Sequence, residues 1–503
     1  MLPGALSPAR RARDLEAVAG ASVDVVVVGG GVTGAGVALD AASRGLSVVL
    51  LERADLAAGT SRWSSKLVHG GLRYLAHGEI GLARESARER AVLMGSTAPH
   101  LVRPLPFLVP DAAGRSVSAL AGLGGRVGDA VRLSVPGGRG SLPPTRRVSA
   151  AQVAALVPGV RKGRGGVVFW DGQLADDARL VVALARTAAA YGAHVLTGAV
   201  VTGVDGHEVH VALPGGTSTT VRAGVVVNAA GVWAQKLAPG IRLVPSRGSH
   251  LVVPAERLGS PFAALTVPLP GSRSRYVFAL PQARGLVYLG ITDEPVAGPP
   301  GDEDPKPSDA EIEQLLETVN QVLAEPLKRA DLVGAYAGLR PLVLPASAGT
   351  GLGDATADLS RKHLLAWDGA VLSVVGGKLT TYRAMAEQAV DEVVARLGRG
   401  AARAVTARLP LIGAAPRVVL DRVAASPRLV ARYGTEAPLV EALGTEPVVE
   451  GRPETRGELR FAVRAEGART VADLLDRRTR IGLVPADRAV ASMVAERILT
   501  EET

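Results

Sequence analysis

The chain has 503 residues, 47% of them hydrophobic, which is enough for two or three domains around a large core and too apolar for disorder. It has no cysteine, so disulfides, thiolate nucleophiles, iron–sulfur clusters and cysteine zinc sites are excluded. The 57 Lys and Arg against 48 Asp and Glu leave +9, spread along the chain; that sign suits anionic lipid headgroups or phosphorylated substrates, whereas the few aromatics and the lack of a basic run argue against nucleic acid.

Residues 1–20 carry arginines but no apolar segment of signal-peptide length, and are expected to form an exposed arm on a cytoplasmic protein. Residues 23–52 then form a complete β-α-β pattern. The apolar run 25–28 suits a strand buried on both faces of a parallel sheet. Gly29, Gly31 and Gly34 follow at G-x-G-x-x-G spacing: the first for the tight turn, the second for approach of the backbone to a pyrophosphate, the third for close helix packing. Glu52, at the end of the next strand, is placed to accept both hydroxyls of an adenosine ribose, which favours FAD or NAD over NADP.

Residues 59–75, GTSRWSSKLVHGGLRYL, are dense in chemically capable side chains. Ser61, Ser64 and Ser65 can donate to phosphate or carbonyl oxygens, and His69-Gly70-Gly71 lets backbone lie flat against a planar ligand, with Arg73 and Tyr74 directly after. Residues 81–94 predict a charged surface helix, and 111–148, rich in Gly, Pro, Ser and Arg with little period, a loop-dominated segment. A helix over 176–190, strands to 227 and the small-residue exit Asn228-Ala-Ala-Gly231 suit a second return to the cofactor. Short alternating runs between 241 and 293 predict a mostly antiparallel sheet. A second strand–glycine–helix unit follows at 371–382, with Gly376, Gly377 and Lys378 opening a helix whose N-terminus suits electron-rich oxygen or a reduced anionic ring. Beyond residue 405 the pattern is helical, with Val490, Met493, Val494 and Ile498 expected on one apolar face.

The strings VVVVGGGVTGAG, SSKLVHGGLRYL, DGQLADDARLV, VVNAAGVW, RGSHLVVP, YAGLRPL and SVVGGKLTTYR together resemble the FAD-dependent glycerol-3-phosphate dehydrogenases, within the flavoprotein group that includes D-amino-acid and glycine oxidases. The segment 468–483 resembles the helical domain of the bacterial form. The resemblance implies an α/β fold: a Rossmann-like FAD-binding domain, a mostly antiparallel β-sheet substrate domain and a C-terminal α-helical domain. In this chain that corresponds to an arm at 1–20, an oxidoreductase region at 21–404 and a helical domain at 405–503. Within the region, the FAD-binding parts are about 21–100, 150–240 and 360–400, the substrate sheet about 241–359 and a loop-rich insertion about 101–149.

It further implies hydride transfer from C2 of sn-glycerol 3-phosphate to FAD, yielding dihydroxyacetone phosphate, with electrons passed to membrane quinone from a peripheral position on the cytoplasmic face. Oxygen as acceptor, or an amino acid as substrate, are the alternatives, and a homodimer is the family expectation. Arg73, Arg340 and Arg361 are the implied phosphate ligands with Tyr74, and Lys378 stabilises negative charge on flavin or substrate. His69 is the first candidate for the base and His250 the second, His69 alternatively packing on the isoalloxazine. Arg53, Thr60, Ser61, Ser64, Ser65, Lys66, Leu67, His69, Gly70, Gly231, Gly377, Lys378, Leu379 and Thr380 join Gly29, Gly31, Gly34 and Glu52 as the implied cofactor contacts. The pair Arg62-Trp63 departs from the small residues of the family pattern.

Overall fold

Strand Ser22–Val28 needs apolar cover on both faces, and the fold supplies it. In a computed structural model, which describes residues 2–71, 78–272, 275–344, 363–398 and 400–502, this strand lies at the centre of the first sheet. The order is His363–Asp368, Val371–Gly376, Ser218–Asn228, Ser22–Val28, Val48–Glu52, His194–Thr197; every pairing is parallel except the first, which is antiparallel. Val25 and Val27 pack under helices Val32–Ser43, Asp177–Ala190 and Tyr382–Leu397. Val26 and Val28 pack on the opposite face with Val209, Val211 and Val221 of an antiparallel meander. Helix approach is close because Gly36 faces Tyr382, where a Cβ would stand 2.9 Å from the ring.

Among the described residues the second sheet has ten strands, all antiparallel apart from the pairing of Ala264–Pro268 with Val102–Pro110. Its longest ladder pairs Leu243–Pro254 antiparallel with Gly334–Val343. Leu251, Val253, Leu265, Val277 and Leu289 face Ile312, Leu315, Leu316 and Val319 of helix Asp309–Asn320, which starts on a Ser308/Glu311 capping box.

Three expectations change. The N-terminal arm is a helix, Pro8–Val18, capped by Ser7; Val18 is buried under the first sheet and Asp14 accepts from Arg10 and pairs with His194. Second, the region expected to be loop-rich supplies strand Val102–Pro110 to the second sheet and a 19-residue helix, Arg115–Leu133. Its glycines hid the helical period. Third, helix Ile80–Val92 is not wholly a surface helix, since Ser86, Glu89 and Arg90 are turned inward.

The C-terminal helices enclose their own core of Leu459, Ala462, Val463, Leu474, Ile481, Ala491, Ala495 and Ile498. Helix Pro485–Glu502 packs by Ala491, Ala495 and Ile498, the two alanines permitting close approach, while Val490 and Met493, expected on that face, are exposed. Ion pairs join this unit to the sheets. Arg477 and Arg478 donate to Asp55 (2.7 to 2.8 Å), Arg179 to Glu466 (2.5 Å) and Arg186 to Glu436 (2.6 and 2.8 Å). Burial alone would raise the Asp55 carboxyl; Arg478 and then Arg477 override it and hold the group below the usual carboxylate range. Among the described residues, replacing Asp55 by Ala leaves the buried Arg478 with only the Glu466 carboxylate, 4.0 Å away, and Arg477 with Asp473 alone, and is expected to lower stability by about 3–5 kcal/mol. Thermal unfolding monitored by circular dichroism checks this, and an unchanged midpoint would remove the pair from the structural account.

Candidate active site

Both ends of the glycine turn are fixed by contacts that only glycine permits. Gly29 has φ +113°, and a Cβ there would lie 2.5 Å from the Ala229 carbonyl; a Cβ on Gly34 would lie 1.9 Å from the Gly29 carbonyl. The turn delivers the chain into helix Val32–Ser43 with Gly31 at its cap. The Val32 N–H donates to the Ser61 hydroxyl at 2.9 Å, so a polar side chain already marks the helix N-terminus as an anion position. At the next strand end, the Glu52 carboxylate accepts from the Gly30 and Ala54 N–H groups, each at 2.7 Å, and burial raises its pKa. Glu52 therefore braces the turn as well as standing at the ribose position. Gly231, with φ +58°, opens the second return of the chain, and there Arg53 lies over the Trp233 ring at 4.4 Å. Asn228 anchors that return by donating to the Ala234 carbonyl and the Ser373 hydroxyl.

Residues 59–71 are pinned from below by carboxylates. Ser64 donates from its N–H and its hydroxyl to Asp177 (3.0 and 2.7 Å). Lys66, in the left-handed region at φ +58° and only 1% exposed, donates to Asp177 (2.8 Å) and to the Arg62 carbonyl (2.7 Å). Burial draws the Lys66 ammonium down to about 8, while Lys66 and Arg480 hold the buried Asp177 below its ordinary value, so both are charged at neutral pH. Gly70 donates its N–H to Asp171 (3.0 Å), which also takes Arg90 at 2.6 Å, and the Arg90 guanidinium lies where a Gly70 Cβ would be 2.3 Å away. Thr60 donates to the Leu339 carbonyl at 2.6 Å, tying the loop to the second sheet, and Leu67 pairs with Gln173.

The Lys66 ammonium is thus turned into the protein instead of lining the cofactor as expected, while Ser64 and Ser65 stay half-buried and Ser65 shares a 2.8 Å hydrogen bond with His250 Nε2. His250 is fully buried, stacked on Tyr336 with ring centres 4.7 Å apart, and burial, then Lys66 and Arg340, depress its pKa well below the ordinary histidine value. A side chain that reaches an open cleft keeps accessible surface; His250 keeps none and is a neutral structural histidine, which corrects its place as a candidate base. His69 is half-buried beside Gly70.

The Arg62-Trp63 departure has a structural reason. Arg62 donates from Nη2 to both Asp304 carboxylate oxygens (2.6 and 2.7 Å) and covers the Trp63 ring at 4.1 Å, while Arg480 of the C-terminal unit covers the same ring at 4.9 Å. Strand Gly334–Val343 presents Arg340, whose guanidinium donates to the Thr292 carbonyl at 3.0 Å and pairs with Asp293 at 3.2 Å. It crosses Gly248, where a Cβ would come within 2.2 Å. Gly376 and Gly377, at φ +79° and +72°, deliver Lys378, whose ammonium donates to Ser86 at 3.0 Å, followed by Leu379 and the buried Thr380. Arg73, Tyr74 and Arg361 lie outside the described residues. Sequence reasoning did not single out Asp171, Asp177, Arg90 or Glu89 as site residues, although two of them stand in the DGQLADD string; Glu89 holds Arg383 through two 2.7 Å bonds.

Glycine contacts, an anion-ready helix terminus and a ribose-position carboxylate fit the adenosine diphosphate half of FAD. Residues 24–383 match the family model described as FAD dependent oxidoreductase, and the chain belongs to that family: it is a flavoenzyme that takes FAD. Residues 404–501 match the model described as the C-terminal domain of alpha-glycerophosphate oxidase. The chain is 49% identical to glycerol-3-phosphate dehydrogenase 1 of Mycobacterium tuberculosis (strain ATCC 25618 / H37Rv), covering 99% of this chain and 98% of the relative. It is 37% identical to the glycerol-3-phosphate dehydrogenase of Mycobacterium leprae (strain TN), covering 97% and 86%. Its structure resembles the glycerol-3-phosphate dehydrogenase from Bacillus halodurans complexed with FAD, with TM-score 0.70 and 25% identity over 98% and 96% of the two chains. The fold, though no more than the fold, is shared with L-alpha-glycerophosphate oxidase from Mycoplasma pneumoniae, at TM-score 0.57 and 17% identity over 78% and 99%.

Because a Cβ on Gly34 strikes the Gly29 backbone, Gly34→Ala is expected to spread the strand–helix contact at a cost of about 1–3 kcal/mol, weakening FAD binding about tenfold or more. The ratio of flavin to protein absorbance after gel filtration measures it; an unchanged ratio would show that the cradle is not where the diphosphate sits.

Proposed function

We propose that this chain oxidises sn-glycerol 3-phosphate to dihydroxyacetone phosphate and passes the electrons to a membrane quinone, from a peripheral position on the cytoplasmic face of the membrane. Full-length identity to relatives bearing that substrate in their names supports the reading, and the observation that carries it is the fixed guanidinium of Arg340. FAD, when bound, accepts the hydride from C2. Arg340, braced by Thr292 and Asp293, offers a planar fork matched to a phosphate dianion. Lys378 supplies positive charge to the substrate oxygen or to the flavin. The C2 hydroxyl proton passes to His69. Arg73, Tyr74 and Arg361 keep their assignment as further phosphate ligands from the sequence motifs. The match of residues 404–501 to a domain named for an oxidase supports oxygen as the alternative acceptor.

Under anaerobic conditions, glycerol 3-phosphate is expected to bleach the long-wavelength flavin band, and a soluble quinone to restore it faster than air does. A bound flavin that stays oxidised would refute the substrate assignment, and faster recovery in air would make the protein an oxidase. Arg340→Lys keeps the charge but loses the fork, and is expected to raise the KM for glycerol 3-phosphate about ten- to a hundredfold with a smaller change in kcat, as loss of about 1.4–3 kcal/mol of binding requires. Steady-state kinetics with a dye acceptor reads both.

A further inference from the structure

Helix Arg115–Leu133 is folded inside out. A surface helix ordinarily buries its large apolar residues and exposes its small and polar ones. Here Ser118, Gly125 and Arg132 are the buried residues, whereas Leu120, Leu123 and Val127 are 54%, 62% and 44% exposed. Gly122 and Gly125 permit the close approach: a Cβ on Gly125 would already stand 2.7 Å from Thr145. At helical spacing the exposed residues Ala119, Leu120, Leu123, Val127 and Ala130 fall within one stripe about 100° wide, the width of a face that expects an apolar partner.

The surroundings are cationic. Residues 112–148 contain six arginines and one aspartate, so the positive charge is concentrated here, against the even spread expected from the sequence. Arg115 and Arg126 stand along one edge of the stripe, and Arg115, Arg126, Arg139 and Arg146 are exposed, with no ion pair among the described residues. Asp129 is taken by Arg132 and by the Thr145 N–H. Behind the helix, a cavity of about 20 Å³ is bounded by Gly125, Asp129, Arg132, Trp170, Arg90 and Gly70, the last two belonging to the loop network of the active site. No helix among the described residues is long and apolar enough to cross a membrane.

We propose that Arg115–Leu133 is a membrane-docking helix: it lies in the interface of an anionic bilayer with Leu120, Leu123 and Val127 among the acyl chains and the flanking arginines on lipid phosphates. Two copies of this chain fit the face less well, since an antiparallel two-fold contact would set its arginine edge against like charge. This inference rests on the membrane-quinone reading above and gives it a place. The docked helix sets the loop around Gly70 about one helix diameter, roughly 10 Å, from the lipid, which brings the quinone pool to the flavin side of the molecule.

The test compares the FAD-loaded wild type with the double variant Leu120→Asp, Leu123→Asp by co-sedimentation with phosphatidylglycerol–phosphatidylcholine vesicles. Wild type is expected to bind these vesicles, to bind pure phosphatidylcholine far less, and to weaken as salt rises. The variant is expected to lose about a hundredfold in vesicle partition and to reduce quinone embedded in vesicles more slowly, while its anaerobic bleaching by glycerol 3-phosphate and its thermal midpoint stay at the wild-type value. Arg115→Glu with Arg126→Glu should lower the partition and flatten its salt dependence without touching the apolar stripe. Equal partition of wild type and the leucine variant overturns the proposal, as does a wild type that binds no vesicle. A variant that falls from two chains to one in light scattering, with vesicle binding intact, assigns the stripe to a second copy and overturns it as well. If neither protein bleaches with glycerol 3-phosphate, the substrate reading fails, and vesicle partition still decides the role of the helix.

Discussion

Two buried carboxylates, Asp171 and Asp177, set the geometry of residues 59–71. A carboxylate removed from water is costly unless its oxygens are taken up by donors and opposite charge. Here the donors are the loop itself. Asp177 takes Ser64 and Lys66, Asp171 takes the Gly70 N–H together with Arg90, and Asp176 caps helix Asp177–Ala190 and pairs with Arg480. The cost of burying the acids is recovered only when the loop adopts one path, so the charges specify a conformation more than they add stability.

Helix Ile80–Val92 extends that network to the second glycine unit. Its inward residues reach three places: Ser86 accepts from Lys378, Glu89 holds Arg383, and Arg90 holds Asp171. A displacement of this helix would move the loop and the Lys378 turn together, which makes them one mechanical body although they lie far apart in the chain.

How much of this the sequence disclosed depends on distance along the chain. The nucleotide unit was legible because strand, turn, helix and acid are contiguous, even though the backbone that crowds Gly29 comes from Ala229, far along the chain. The Gly376-Gly377-Lys378 turn was legible for the same reason. The partners of Lys66, Gly70 and Ser64 lie about a hundred residues away, and nothing local announces which aspartate answers which donor. Lys66 accordingly reads as a cofactor ligand in the sequence, and His250, which terminates the Ser65 hydrogen bond in a stack with Tyr336, as a base. The helix at 115–133 escaped notice because four glycines and an outward apolar face erase the periodicity by which a helix is ordinarily recognised.

Arg480 ties residues 59–71 to the C-terminal helical unit. It occupies the left-handed region at φ +66°, which a non-glycine residue adopts only when its surroundings hold it there. Its guanidinium donates to the Arg62 carbonyl, 418 residues earlier, and lies over Trp63. The loop therefore lacks one of its clamps until nearly the whole polypeptide has left the ribosome. A chain that stops before residue 480 keeps the glycine turn and the helix it opens but leaves residues 59–71 without this clamp.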